Sequence, residues 1–266
     1  GDCYVALALA AQATSSIKLG TGVTNSFTRH PAATASAIAS IQMESDGRAY
    51  LGIGRGDSAL AHLGRAPHSV AEFENYLEQL QNYLRGNEVE FEGDSDLGSL
   101  GLAGHSSSSR ISWIAGIQAK VPVDVAATGP RVIAAAARHA DRISLNVGAD
   151  VERVRWGMDV ARDARVKAGI TGDIPFTAYI SLVVHDDPEE AMRIGAGQVS
   201  LFARFSAMYG RVVGPASAEQ QQVLEEIHRS YDMQQHGRGA GTQESAVTGE
   251  FARNFGIFGS PSYCVD

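Results

Sequence analysis

Along this chain the spacing of apolar positions switches repeatedly between helix and strand periods. Residues 2–14 are helical in composition, with Val5–Ala13 reading as a buried helix that Ser15 and Ser16 break. A short strand follows over Ile17–Val23, and Pro31 then opens a small-residue helix over Ala32–Met43, where proline's fixed φ suits the first helical turn. Asp46-Gly47-Arg48 turns the chain into a strand over Ala49–Ile53. The resulting β-α-β unit predicts parallel strands joined by a right-handed crossover. Ser69 and Glu72 have capping-box spacing, Val70, Phe73, Leu77, Leu80 and Leu84 recur at helical intervals, and Gly86 closes the run.

The rhythm pauses over residues 87–121, an irregular excursion containing Ser106–Ser109, and then resumes. A strand over 122–127, a helix over Pro130–His139 and a strand over 142–147 lead into the charged amphipathic helix Val151–Ala168 and a β-rich run over Phe176–Val184. Two helical stretches at 189–209 and 216–235 are separated by Gly214-Pro215, and the chain loosens at Gly237–Gly241 before the apolar stretch from Phe255 to Pro261. Strands near 17–23, 49–53, 122–127, 142–147 and 176–184, separated by helices, predict a parallel α/β sheet. An open doubly wound sheet and a closed (β/α)8 barrel both satisfy this pattern.

Composition narrows the function. The 266 residues are 44% hydrophobic, enough for one large α/β domain or two small ones. With 22 basic against 30 acidic residues the net charge is -8, which disfavours nucleic acid or an anionic membrane as partner and leaves a small-molecule substrate. No apolar run approaches the roughly 18 residues that a membrane span needs. Cys3 and Cys264 lie near opposite ends, so neither a disulfide framework nor a zinc site is suggested, and a reducing cytoplasm fits. The eight histidines form no H-x-x-x-H or H-E-x-x-H pair, so no metal is expected. A Ser-His-Asp system has no G-x-S-x-G elbow to anchor it. The chain starts at Gly1-Asp2-Cys3 inside what already reads as helix, and so reads as a fragment.

Candidate chemistry gathers at strand ends. Tyr50–Asp57 is an apolar strand running into a glycine-punctuated turn with Arg55 and Asp57; a dinucleotide fingerprint would need glycine at 57, and the Arg-Gly-Asp is incidental. Asp57 is a candidate at the mouth of the sheet or simply a turn-stabilising acid. Gly20-Thr21-Gly22-Val23-Thr24-Asn25 lets backbone approach a ligand, or is a plain glycine-rich exit. Ala126–Arg131 feeds a helix whose first turn has free N–H groups, so Thr128, Gly129 and Pro130 form a candidate phosphate cradle or an ordinary βα turn. Asn146-Val147-Gly148 closes the following strand at the same face, and His30, just beyond a strand tip, is a candidate or a solvated turn residue.

Taken in order, Leu19-Gly20-Thr21-Gly22-Val23, Arg29-His30-Pro31 before an Ala-rich helix, and Asp46-Gly47-Arg48 followed by Leu51-Gly52-Ile53-Gly54 and Gly56-Asp57 resemble the bacterial luciferase-like superfamily. Within it the likeness is to the oxidoreductases that use the deazaflavin coenzyme F420, methylene-tetrahydromethanopterin reductase among them. The Ala126-Ala127-x-Gly129-Pro130 turn and Ala140-Asp141 extend the match, which covers most of the chain and is weakest at 95–120 and 210–250. The resemblance implies a TIM (β/α)8 barrel of the luciferase-like type, incomplete, with strands three to seven recognisable and strands one, two and eight without counterpart. It implies a single domain over residues 1–266, with 87–121 and 187–250 as insertions that shape the pocket. It also implies a non-prolyl cis peptide at Gly22-Val23 whose bulge backs the deazaflavin ring, with Thr21 and Thr24 beside it. The cofactor phosphate would lie at Thr128, Gly129 and Pro130, near Asn146, Val147 and Gly148. Asp57 would be a proton donor or orient the substrate, with His30 as a second catalytic candidate.

On this reading coenzyme F420 exchanges a hydride with a small organic substrate. The alternatives are an FMN-dependent monooxygenase of the same superfamily, since phosphate turn and bulge would serve either ring, and a non-catalytic barrel remnant. Relatives often form homodimers. No lysine accompanies Asn146-Val147-Gly148, which disfavours a phosphorylated sugar as substrate.

Overall fold

The computed structural model describes residues 1–91, 96–116, 119–236 and 245–265, the side chain of Asp96 excepted. Parts of the expected insertions and the stretch from Gly237 to Gly241 lie outside the described residues. In chain order the elements are α1 (Cys3–Ala13), β1 (Leu19–Gly20), β2 (Thr24–Asn25), α2 (Pro31–Glu44), β3 (Ala49–Gly54), α3 (Asp57–His62), α4 (Val70–Arg85), β4 (Val89–Glu90) and β5 (Ser108–Ser109). There follow β6 (Val123–Ala127), α5 (Pro130–His139), β7 (Arg142–Leu145), α6 (Val151–Lys167), β8 (Phe176–Ala178), β9 (Ser181–Val184), α7 (Pro188–Ala203), α8 (Ala218–Ser230), α9 (Gly249–Phe255), β10 (Gly256–Gly259) and α10 (Pro261–Val265). The chain divides into two compact units.

The first unit takes Gly1–Asp57, Ala66–Asp124 and His139–Asp141. Here β1 and β2 both pair parallel with β3, Leu19 opposite Ala49 and Thr24 opposite Ile53. The Leu51 amide donates to the Pro122 carbonyl at 2.8 Å, which extends the ladder to the start of β6. Helix α2 packs on β3 and against α4, with Ala35, Ile38, Phe73, Leu77 and Leu80 all fully buried. The capping signals of α4 are realised: Ser69 and Glu72 form a reciprocal capping box, and Gly86 ends the helix at φ 75°.

Two motif residues prove to be structural. Arg48 donates from Nε to the Ser45 carbonyl, from Nη1 to Thr14 Oγ1 and the Ile17 carbonyl, and from Nη2 to the carbonyls of Ala11 and Thr14, all at 2.7–3.0 Å. It therefore closes the C-terminal end of α1, where carbonyls lack helical partners and a cation is favoured. Asp141 accepts from Lys120 Nζ at 2.6 Å, the Val123 amide at 2.8 Å and Gln81 Nε2 at 3.2 Å. Burial pushes the Asp141 carboxyl up, but those donors outweigh it and hold it below its ordinary 3.8. Lys120 is pulled down by burial more than Asp141 raises it.

The second unit takes Ser58–Arg65, Val125–Arg138 and Arg142–Asp266. Its strands run in the order β6-β7-β8, with Ile143 opposite Phe176 and Leu145 opposite Ala178 in parallel register. Ile133, Ala136, Ile143, Leu145 and Val147 are buried around them. A separate cluster of Val199, Ala203, Leu224, Ile227, Phe251 and Phe255 fills the space under α7, α8 and α9.

The parallel alternation matches the sequence pattern, but the helix read as buried over Val5–Ala13 is largely exposed, with Val5 and Leu9 both open to solvent. Four further differences concern element bounds and pairing. The strand expected over 17–23 is two stubs, β1 and β2, with Thr21–Val23 bulging between them. The run over 176–184 breaks at Tyr179-Ile180, because its second half leaves β7 and pairs parallel with β10. That partner, Gly256-Ile257-Phe258-Gly259, gave no strand signal because both of its ends are glycine. The irregular excursion contains a short antiparallel pair, β4 with β5. The helical stretches at 189–209 and 216–235 end early, at Ala203 and Ser230, each followed by a 3-10 turn, at Arg204–Gly210 and Met233–Gln235.

Replacing Arg48 with Met removes five hydrogen bonds while keeping an apolar stem, and should cost about 3 kcal/mol of stability in urea unfolding. Because the folded-state pKa of Asp141 is depressed, its contribution is present above the ordinary carboxylate value and lost as pH falls through the lower folded value. Asp141→Asn should therefore flatten the acid limb of stability against pH, and an unchanged acid limb would count against this role.

Candidate functional site

In the first unit the site begins with a close backbone approach. Thr21 is buried, donates from Oγ1 to the Gly52 carbonyl at 2.6 Å, and presses its own carbonyl on Gly52, where a Cβ would stand only 2.0 Å from that oxygen. The peptide between Gly22 and Val23 is cis, at the position expected from the sequence. Val23 is 43% exposed on the bulge, and nothing lies within 4 Å of where a Gly22 Cβ would sit. Thr24 and Asn25 return to β3, and Asn25 Oδ1 accepts from the amides of Phe27 and Thr28, which fixes the turn beyond.

The other first-unit candidates are placed differently. Asp57, expected on a loop, is the half-buried first residue of α3, where a carboxylate complements the helix dipole. Arg55 donates from Nε to the His68 carbonyl at 2.7 Å and so holds the segment before α4. His30 caps α2: its Nδ1 accepts from the Ala32 amide at 3.2 Å, which leaves the ring proton on Nε2. Its ring meets the edge of Tyr83 at 6.2 Å, in a cavity of about 300 Å³ whose walls include Gln79 and Phe91. His68 was not anticipated. It bonds Ser26 Oγ through Nδ1 at 3.0 Å and lies 5.0 Å from the Phe27 ring, but a lone histidine ahead of a capping serine carries no sequence signal.

The second unit brings its candidates together. Thr128 donates from Oγ1 to the Asn146 carbonyl at 3.0 Å, which ties the turn after β6 to the end of β7. Pro130 opens α5, the Ile133 amide makes its helical bond to the Gly129 carbonyl at 3.0 Å, and a Cβ on Gly129 would meet nothing within 4 Å. The first-turn amides of α5 have no acceptor within the helix, and the positive end of the helix dipole lies behind them. Asn146 is 8% exposed, and its Oδ1 is buried without a hydrogen-bond partner among the described residues. Gly148 has φ 87°, and a Cβ there would lie 2.8 Å from the Phe255 ring.

What holds this end of β7 is Arg153, which the sequence did not single out. It is 1% exposed and donates from Nε to the Val147 carbonyl, from Nη1 to the Pro215 carbonyl, and from Nη2 to Ser206 Oγ and the Val213 carbonyl, at 2.5–3.0 Å. Its guanidinium also lies 5.5 Å over the Phe255 ring. Burial pulls its pKa down and Asp150 pulls it back. In sequence it is one cation among several on an amphipathic helix, which is why it passed unnoticed. Among the described residues no group of three or more His, Cys, Asp or Glu could hold a metal, and no helix is long and apolar enough to cross a membrane.

The family model for luciferase-like monooxygenases matches residues 1–266. The chain belongs to that family. One curated relative of this luciferase-like chain, the 5,10-methylenetetrahydromethanopterin reductase of Methanolobus tindarius, is 29% identical over 192 residues, covering 71% of the chain and 56% of the relative. The chain spans about half the length of the curated relatives it matches. Among solved structures, the coenzyme F420 dependent tetrahydromethanopterin reductase from Methanopyrus kandleri superposes with a TM-score of 0.70 at 24% identity, over 100% of this chain and 77% of that one. An F420-dependent secondary alcohol dehydrogenase in complex with an F420-acetone adduct gives 0.67 at 14% identity, over 100% and 73%. The fold is accordingly the α/β TIM-barrel type of the luciferase-like family, as the sequence motifs implied.

Gly52→Ala would drive a methyl into the Thr21 carbonyl and should cost about 3 kcal/mol, whereas Gly129→Ala, with open space at its Cβ, should stay within about 0.5 kcal/mol of wild type. Urea unfolding of the two variants checks the contrast, and equal stabilities would contradict the close approach at Gly52.

Proposed function

We propose that the chain binds coenzyme F420 and serves an oxidoreductase reaction in which hydride passes between that deazaflavin and a small organic substrate. The observation that carries this reading is the buried Oδ1 of Asn146, which has no hydrogen-bond partner among the described residues, at the strand end that Thr128 ties to the start of α5. A buried acceptor without a donor is costly, so it fits a ligand that brings one. The α5 terminus beside it fits an anion. Together they suit a phosphorylated polyol chain, such as the ribityl phosphate of a flavin-type cofactor. The relatives named for F420 or methylenetetrahydromethanopterin support the deazaflavin among such cofactors.

The bound deazaflavin would supply the hydride chemistry. The residues of this chain do the rest. Gly129 admits the phosphate to the first-turn amides of α5, and Pro130 presets that turn. Thr128 holds the Asn146 backbone through its carbonyl, Val147 and Gly148 continue the strand end beside it, and Asn146 Oδ1 takes a hydroxyl. In the first unit, Thr21, Gly22, Val23 and Thr24 form the bulge proposed to lie behind the ring, with the exposed Val23 offering apolar contact. Asp57 is proposed to donate a proton or orient the substrate, and His30 is a second candidate acting from its Nε2–H.

Anaerobic titration with F420 and, separately, with FMN tests the cofactor, followed by turnover of reduced F420 with 5,10-methylenetetrahydromethanopterin. Productive FMN binding with no F420 binding would overturn the reading in favour of a flavin monooxygenase. Asn146→Leu should weaken F420 binding about tenfold by removing the acceptor. Asp57→Asn should lower kcat about a hundredfold with F420 affinity little changed.

A further inference from the structure

Outside the residues assigned above, the second unit contains a nearly buried cation bonded to α3. Arg204, 8% exposed at the C-terminal end of α7, donates from Nη2 to Ser58 Oγ at 2.7 Å. Its guanidinium lies over two rings, 4.3 Å from the Phe205 centroid and 4.8 Å from that of Tyr231. Tyr231 is fixed in turn, since its hydroxyl shares a hydrogen bond with His236 Nδ1 at 2.6 Å. The His236 ring lies 6.2 Å from that of His62, one helical turn beyond Ser58 on α3. A flat, delocalised guanidinium held by aromatic faces has little freedom, so the direction of its hydrogen bond is set.

Helix α3 has six residues, too few to be stable alone, so contacts with the rest of the chain determine where it sits. Leu60 is its only fully buried apolar side chain, and Ser58 supplies a polar anchor. We propose that Arg204 is a positioning residue: through Ser58 it fixes the first turn of α3, and with it the direction in which the preceding residue, Asp57, presents its carboxylate. This proposal rests on the catalytic reading of Asp57. A carboxylate that must meet a reacting atom loses rate when its backbone wanders, without any loss of cofactor affinity.

Hydrogen exchange and turnover of Ser58→Ala, Arg204→Met and Asp57→Asn test this in the full chain, with reduced F420 and 5,10-methylenetetrahydromethanopterin as the assay pair. Ser58→Ala keeps the buried cation and removes only the Ser58 acceptor, so it reports even where Arg204→Met fails to fold. Amides of residues 58–62 should exchange about tenfold faster in Ser58→Ala. Its kcat should fall about tenfold with KM for F420 unchanged, and the limb of the pH profile that Asp57→Asn abolishes should shift. Unchanged exchange in Ser58→Ala would overturn the anchoring. Faster exchange with undiminished kcat, while Asp57→Asn is impaired, would overturn the link to Asp57. If Asp57→Asn retains full kcat and the 58–62 amides still exchange faster, the anchoring stands and the catalytic reading of Asp57 falls.

Discussion

A positive charge taken wholly out of water governs the second unit. Removing an ion from water costs several kcal/mol, and Arg153 has no carboxylate bonded to it among the described residues. Three backbone carbonyls and the Ser206 hydroxyl surround it instead, each charge-assisted bond contributing about 1.5–3 kcal/mol. Those acceptors come from three places: the end of β7, the 3-10 turn after α7 and the segment ahead of α8. The guanidinium thus specifies the path of loops that bury little apolar surface of their own. Arg48 does the same in the first unit, gathering carbonyls from the end of α1, from the turn after α2 and from the segment ahead of β1. In both places a planar fork with five donors organises irregular backbone, which an ammonium could not do equally well.

The glycines of the strand tips acquire a different meaning from the one their pattern first suggests. Leu51-Gly52-Ile53-Gly54 looks like a phosphate-binding signature, but Gly52 is small because the Thr21 carbonyl lies against it, and Gly54 is opposite Asn25 in the ladder. The requirement is for backbone to approach backbone. At the end of β7, Gly148 meets a different demand, combining a positive φ with the Phe255 ring in the space a side chain would take.

What could be read from the sequence follows from how local each determinant is. The capping box and Gly86 of α4, the proline at the start of α2, and the Thr128-Gly129-Pro130 turn are each decided by neighbours within a few residues, and all were legible. The positions of Arg48 and Asp141 were legible as motif residues, but their roles were not, because their partners lie up to 60 residues away. Helix α3 is short and carries no cap signal, so the turn after β3 read as a loop. Strand β10 was hidden by its terminal glycines, and it shows only through its pairing with β9. Arg153 and Arg204 were concealed for the reason that makes them informative: a cation on an amphipathic helix is ordinarily solvated, and only the folded chain reveals which ones are not.

The spacing of the Arg153 partners also has a consequence in time. Its acceptors at Ser206, Val213 and Pro215 lie 53, 60 and 62 residues later in the chain. At ribosomal speeds of about 5–20 residues per second, α6 emerges roughly 3–12 seconds before the last of them. Throughout that interval the guanidinium must remain hydrated, so the end of β7 and the turn it carries are completed late. Vectorial synthesis therefore delivers β6, β7 and β8 before the loops that complete the end of β7.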